Sequence, residues 1–297
     1  MKKYIILNIV LIIIYIITNN SLRKEETIKQ TELENEKIVA VSHNENTVEM
    51  NLDDYIIGVL SCEMPALFKE EALKAGAVAI RTFYMYKKLS NIEYIATNND
   101  QCFNNKEEMK NKWGNSFDEY YNKIKKAVEA TKDEYITYND EIIESFYFSM
   151  SNGRTENVEE VFSTKLPYLI SVESPWDKNI ATYEKTIELS KEEFLNAFSL
   201  NNSEDIKVEI LSHTAGGRIN TIKINEEEYR GTEVRKLLNL RSADFDITIG
   251  DKITITTRGY GHGVGMSQYG ANEMAKEGYN YKEILKHYYT NTEISKI

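Results

Sequence analysis

Residues 258–271 read RGYGHGVGMSQYGA, with glycine at 259, 261, 263 and 265. A nucleotide-binding GxGxxG loop needs another glycine five places after its first, but Val264 and Met266 stand there and no GK[ST] follows. The alternation has period two, as in an extended segment whose successive side chains point to opposite faces. One face is then bare backbone, while the other carries Tyr260, His262, Val264 and Met266. A bare face admits close approach, either by a neighbouring element or by a flat ligand.

Working outward, the stretch follows the strand pattern DKITITT and precedes the helical patterns ANEMAKEG and YKEILKHYY. Upstream, residues 181–250 hold the helix ELSKEEFLNAFS, the strands KVEILSHT and RINTIKIN and the helix GTEVRKLLNL, a smaller α+β lobe. Before that, SMSNGRTENVEEVF gathers Ser149, Ser151, Asn152, Arg154 and Thr155 around Gly153 at the end of a strand, where polar side chains commonly line a site. EYITYN and EIIESFYFSMS read as a hairpin around Asn139 and Asp140, and KIVAVS and TVEMNL as another around HNEN. Helices are expected from Asp53 or Asp54 to near Pro65, over KEEALKAGAVAIRTFYMYKK, and over 116–131. The expected fold class is α+β, with mixed helices and antiparallel hairpins forming a main lobe over 37–297 that contains the smaller one.

The N-terminus is MKK followed by an uncharged apolar run over 4–18, and no small-x-small cleavage site follows. Residues 1–20 are expected to be an uncleaved single-pass transmembrane helix with Lys2 and Lys3 inside, a removed signal peptide being the alternative. Residues 21–36 are too polar for a core and read as a spacer. The body then works outside the cytoplasm, where Cys62 and Cys102 could form a disulfide. The net charge of -11, spread along 297 residues, excludes nucleic acid as a natural partner.

Neither a GxSxG elbow nor an HExxH motif is present, so serine-hydrolase and common zinc-hydrolase chemistry are set aside. Glu63, in LSCEMPALF, stands at a helix end among Cys62, Met64, Pro65, Leu60 and Leu67. Burial there would raise its pKa and keep the proton on, as a general acid requires; the alternative is an exposed helix-end glutamate. Arg81 lies near the end of a helix of small residues, where a bulky cation calls for an acidic partner or a ligand.

LSCEMPALFKEEALKAGAVAIRTF, FYFSMSNGRTENVEEVF, RGTEVRKLLNLRS and RGYGHGVGMSQYGA occur in that order, and together they resemble the SpoIID/LytB family over about residues 46–290. The resemblance implies a membrane-anchored lytic transglycosylase acting on peptidoglycan strands already stripped of peptides. Its place would be the mother-cell side of the sporulation septum, where it thins the wall during forespore engulfment. The implied partners are a SpoIIP-like amidase and a SpoIIM-like membrane scaffold. By the same resemblance Glu63 is the catalytic acid, with Arg81, Ser149, Ser151, Asn152, Thr155, His262 and Gln268 beside the glycan. Arg154 and Tyr260 join the substrate-binding set from their places in the same motifs. Some relatives hold zinc through a cysteine equivalent to Cys102 and a histidine five residues later; here that later position is Glu107.

A lytic transglycosylase can work with one carboxyl group. The acid protonates the departing oxygen and then deprotonates the sugar's own 6-hydroxyl, which closes onto C1 as a 1,6-anhydro end, so no cofactor is required. The rival reading is a non-catalytic glycan-binding module that enhances an amidase, as on the LytB side of the family. A zinc-dependent wall hydrolase centred on Cys102 is a third.

Overall fold

The structure is a computed structural model that describes residues 38–44, 46–91, 94–97, 100–200 and 205–297. The expected anchor (1–20) and spacer (21–36) lie outside these residues. Among the described residues no helix is long and apolar enough to cross a membrane.

β1 (Ile38–His43) and β2 (Asn46–Asn51) form the expected antiparallel hairpin, with the short β3 (Ala96–Thr97) parallel to β1. Helix α1 (Leu52–Glu63) follows without a break, because Asn51 ends the strand in an extended conformation and its side chain accepts the Asp53 amide at 2.9 Å. The cap is therefore Asn51; Asp53 and Asp54 fall in the first turn, where carboxylates suit the positive end of the helix dipole. Met64 is extended ahead of Pro65, so the helix stops at Glu63 and leaves its carboxyl at the helix end.

Helix α2 (Glu70–Ser90) lies close against α1 through its small residues. A Cβ at Gly76 would come within 2.3 Å of the Met64 sulfur, so glycine sets the approach. Helix α3 (Lys106–Trp113) was not expected, since only Met109 of its eight residues is buried, and its capping box between Asn105 and Glu108 is what defines it. Helix α4 (Phe117–Ala130) buries Ile124, Ala127 and Val128.

β4 (Glu134–Tyr138) and β5 (Glu141–Ile142) make the second hairpin, with Asn139 and Asp140 both at positive φ. The expected continuation of β5 through 151 does not occur. The buried Ser145 hydroxyl donates to the Ala79 carbonyl of α2 at 2.8 Å, and beyond it β6 (Tyr147–Phe148) joins another sheet. After helix α5 (Val158–Val161) come β7 (Glu184–Leu189), α6 (Lys191–Ala197), β8 (Val208–His213), β9 (Ile219–Ile224), β10 (Glu227–Arg230), α7 (Gly231–Leu237), β11 (Phe245–Ile249) and β12 (Ile253–Arg258). They form two antiparallel three-stranded sheets around a second apolar cluster that includes Phe194, Ile222, Val234, Phe245 and Ile255. β13 (Met266–Ser267) pairs parallel with β6, and helices α8 (Gln268–Lys276) and α9 (Tyr281–Tyr288) lead to β14 (Glu293–Lys296) beside β4. The fold is thus α+β, as expected.

The glycine stretch is not a regular strand. All four alternating glycines have positive φ, and between β12 and β13 the segment makes only isolated bridges, Met150 with Tyr260 and Glu156 with Val264. A Cβ at Gly261 would meet the Phe148 Cβ at 2.8 Å, and one at Gly263 would lie 2.5 Å from Cζ of Arg218. The bare side is therefore filled by β6 and by a buried guanidinium, which is the packing alternative. Positive φ adds a second reason for glycine that period two alone does not reveal.

Candidate active site

Glu63 is half-buried at the end of α1 and lines a groove of about 340 Å³. The other walls are Phe83 and Lys87 of α2, Asp100 and Gln101, Phe146 and Tyr147 around β6, Phe162 and His262. One carboxyl oxygen, Oε1, accepts the Cys102 amide at 2.8 Å; Oε2 accepts Nε2 of Gln268 at 3.3 Å. Burial raises the Glu63 pKa, with the Cys102 amide, Gln268 and the Lys112 cation acting in the opposite direction. The result is a carboxyl group held by two donors and biased towards its protonated form, the condition for general-acid work.

Gln101 is buried between two tyrosines. Its Oε1 accepts the Tyr55 hydroxyl at 3.1 Å and its Nε2 donates to the Tyr147 hydroxyl oxygen at 2.8 Å. Tyr147 is thereby oriented at the groove wall. Neither Gln101 nor Tyr147 was singled out in the sequence, where a lone amide and one aromatic among 32 carry no pattern. Lys87, also missed, pairs with Glu144 at 3.3 Å. Asp100, a second groove carboxylate, accepts the Thr97 amide at 3.2 Å and the Thr97 hydroxyl at 2.7 Å.

His262 lines the groove with its ring against Phe146, Phe148 and Phe162. Its Nδ1 accepts the Val264 amide at 3.1 Å and it also bonds the Tyr147 backbone, so the proton sits on Nε2. Burial, with the nearby Arg235 and Arg218 cations, lowers its pKa to about 3. It is a neutral wall, with both nitrogens engaged.

Several other residues from the sequence reading stand apart from the groove lining. Arg81 is 1% exposed, and its Nη1 donates to the carbonyls of Thr131 (2.8 Å) and Glu134 (3.3 Å), its Nη2 to that of Val128 (3.2 Å). A guanidinium so placed caps the end of α4 and fits its dipole, so the expectation that Arg81 meets substrate is corrected. Arg154 is on the surface, paired with Glu173 at 3.1 Å. Ser151 is buried and donates to Asp177, as do Ser174 and Ser267, each at 2.7 Å. Ser151 of the hydroxyl-rich turn thus shares a buried carboxylate with two serines from outside the turn. Thr155 is buried and accepts the Val172 amide, while Asn152 donates to Asp244 at 2.8 Å. The Ser149 carbonyl accepts the Tyr269 amide, and Tyr260 is exposed beneath the Arg241 guanidinium.

Cys102 is not available as the zinc ligand that some relatives have at this position. Cys102 is bonded to Cys62, with Cα atoms 5.6 Å apart, so its sulfur is not a thiolate that could ligate a metal. Among the described residues no group of three or more His, Cys, Asp or Glu is placed to hold a metal ion.

Behind His262, a narrow cleft is lined by Glu156, Glu160, Arg218, Arg230 and Arg235. Glu160 accepts the Ala215 amide at 3.1 Å, and burial together with the adjacent Glu156 raises its pKa from 4.5 to about 7. A raised folded-state pKa contributes stability that is complete below 4.5 and is lost as pH rises through about 7. The melting temperature is therefore expected to fall between pH 5 and 8, and less so in Glu160→Gln; equal slopes in thermal melts would remove Glu160 as the cause.

The groove thus holds two carboxylates, Glu63 and Asp100, and burial raises the pKa of Glu63. The family model described as stage II sporulation protein, SpoIID, matches residues 41–138. The chain is 43% identical over 262 residues to stage II sporulation protein D of Bacillus subtilis, covering 85% of this chain and 76% of that protein. It is 40% identical to the protein of the same description from Bacillus amyloliquefaciens, with the same coverage. A 29% identity over 294 residues, 80% of this chain and 40% of the relative, links it to the amidase enhancer of Bacillus subtilis. The chain belongs to the SpoIID family of sporulation proteins.

Proposed function

We propose that the protein is a peptidoglycan lytic transglycosylase that cuts peptide-stripped glycan strands and leaves 1,6-anhydro ends. It would act at the sporulation septum during engulfment, anchored in the membrane and working with an amidase that strips the strands and with a membrane scaffold. The observation that carries the reading is Glu63: a carboxyl with a raised pKa, at a groove wall, held by donors to both oxygens. Protonated, it gives its proton to the glycosidic oxygen. Ionised, it is stabilised by the Cys102 amide and Gln268 and can take the proton of the sugar's 6-hydroxyl, whose oxygen then bonds to C1. Release of soluble fragments from stripped glycan by the purified protein alone tests the activity.

The similarity to an amidase enhancer favours a second reading, in which the groove binds glycan and the protein only stimulates an amidase. On that reading the purified protein binds stripped glycan but releases nothing until an amidase and intact wall are supplied.

Substrate choice follows from groove charge. Removing the peptide leaves a lactyl carboxylate on each muramic acid, and Lys87 is a cation of the groove wall. Lys87→Gln is expected to narrow the preference for stripped over intact glycan by roughly twofold to fivefold, the range of a partly exposed ion pair. An unchanged rate ratio in parallel digests would remove Lys87 from that role.

A further inference from the structure

The segment that brings Gln101 and Cys102 to the groove has little regular structure of its own. Between the end of α2 at Ser90 and the start of α3 at Lys106, only β3 is regular among the described residues. Yet it supplies two of the groove's fixed elements, the amide that binds Oε1 of Glu63 and the glutamine that orients Tyr147. Noncovalent contacts fasten it further on: the Asn104 amide donates to the Gly58 carbonyl at 3.2 Å, and the Phe103 ring lies where a Cβ at Gly58 would be. At the groove itself the Gln101 side chain is held by Tyr55 and Tyr147, and Cys102 is held covalently. Cys62 immediately precedes the acid in α1, and Cys102 is the residue whose amide binds the acid.

We propose that the Cys62–Cys102 disulfide is a positioning element for Glu63, holding the Cys102 amide on one carboxyl oxygen and keeping Gln101 in register with Tyr147. The cross-link joins the residue next to the proton donor directly to the residue that sets its hydrogen bond. Without it, the segment keeps its anchor at Asn104 but the amide is no longer fixed against the carboxyl. Because that amide favours the ionised form, its loss moves the Glu63 pKa further up. The charged and titratable groups around the acid are Lys112 of α3, Tyr55 of α1, Tyr147 of β6, and Asp100 and Lys87 of the groove. None of them depends on the disulfide for its covalent place.

The inference rests on Glu63 acting as the acid, and its test separates the two ideas. Full-length wild type, Cys62→Ala, Cys102→Ala and the double variant are compared by carboxyl 13C titration of Glu63 and by cleavage of stripped glycan across pH. The expected result is a higher Glu63 midpoint in all three variants. In cleavage, kcat falls roughly 10- to 100-fold with KM little changed, as for a misplaced catalytic group, and the alkaline limb of the rate profile shifts to higher pH. An unchanged midpoint and limb accompanied by a lower melting temperature would overturn the proposal and leave the disulfide a stabiliser of the fold. Should a variant not fold, wild type reduced by a dithiol while still folded gives the same comparison, and an unmoved Glu63 midpoint there overturns it equally. If wild type cuts no glycan, the transglycosylase reading fails while the titration still decides the positioning role.

Discussion

Glu63→Gln is expected to retain the fold and bind glycan while losing cleavage by about 10²–10⁴-fold, the usual worth of positioned acid–base help. The amide has nearly the shape of the carboxyl and remains at the end of α1, where Cys102 can still donate to its oxygen. What it lacks is the proton to give and the charge to take one back. Its circular dichroism and glycan affinity should match wild type, and its single-turnover rate should not. A variant that keeps more than about a tenth of the rate would move the acid elsewhere, with Asp100 as the carboxylate to try next.

Arg218→Ala is expected to destabilise the protein by about 3–5 kcal/mol, the cost of breaking a buried pair from one side. Arg218 donates from Nη1 to Oε1 of Glu156 at 2.9 Å, with 3% and 0% of the two side chains exposed. The same guanidinium covers Gly263 and donates to the Arg154 carbonyl at 3.3 Å. It therefore ties the segment before β9 both to residues 154–156 and to the glycine stretch that carries His262. Denaturant unfolding reads the loss directly. A change below about 1 kcal/mol would reduce the pair to the level of a surface salt bridge.

Much of this architecture was legible because local rules and tertiary packing agree. The hairpin turn at Asn139 and Asp140 has the residues that positive φ favours, and Pro65 stops α1 where its steric rule requires. Glu63 stood out for the same reason: a charged residue between Cys62 and Met64, at a helix end, is placed by its neighbours. The arginines were harder to place. Spacing puts Arg81 on a face of α2 but does not say that the end of α4 meets that face, where the carbonyls of Val128, Thr131 and, at the start of β4, Glu134 accept from the guanidinium. The serines show the same limit from another side. Ser151 was grouped with the polar end of a strand, yet its partner is Asp177, a buried acid with no local mark that Ser267 also bonds. Its pKa is raised by burial while the three hydroxyls oppose the rise. The period-two glycines revealed close packing but not the positive φ at each of them, because sequence alternation reports which way side chains point and not which backbone region the intervening residues occupy.

The most direct test of the transglycosylase reading is the mass of the ends produced when purified protein digests peptide-stripped glycan in water. A 1,6-anhydro end carries no added water, because the sugar's own hydroxyl has closed onto C1. Wild-type digests are expected to contain anhydro-muramic ends, and Glu63→Gln digests none above background. Reducing ends heavier by one water would mean that a water molecule attacked C1, which would contradict single-carboxyl transglycosylation and turn attention to Glu63 and Asp100 as a hydrolytic pair.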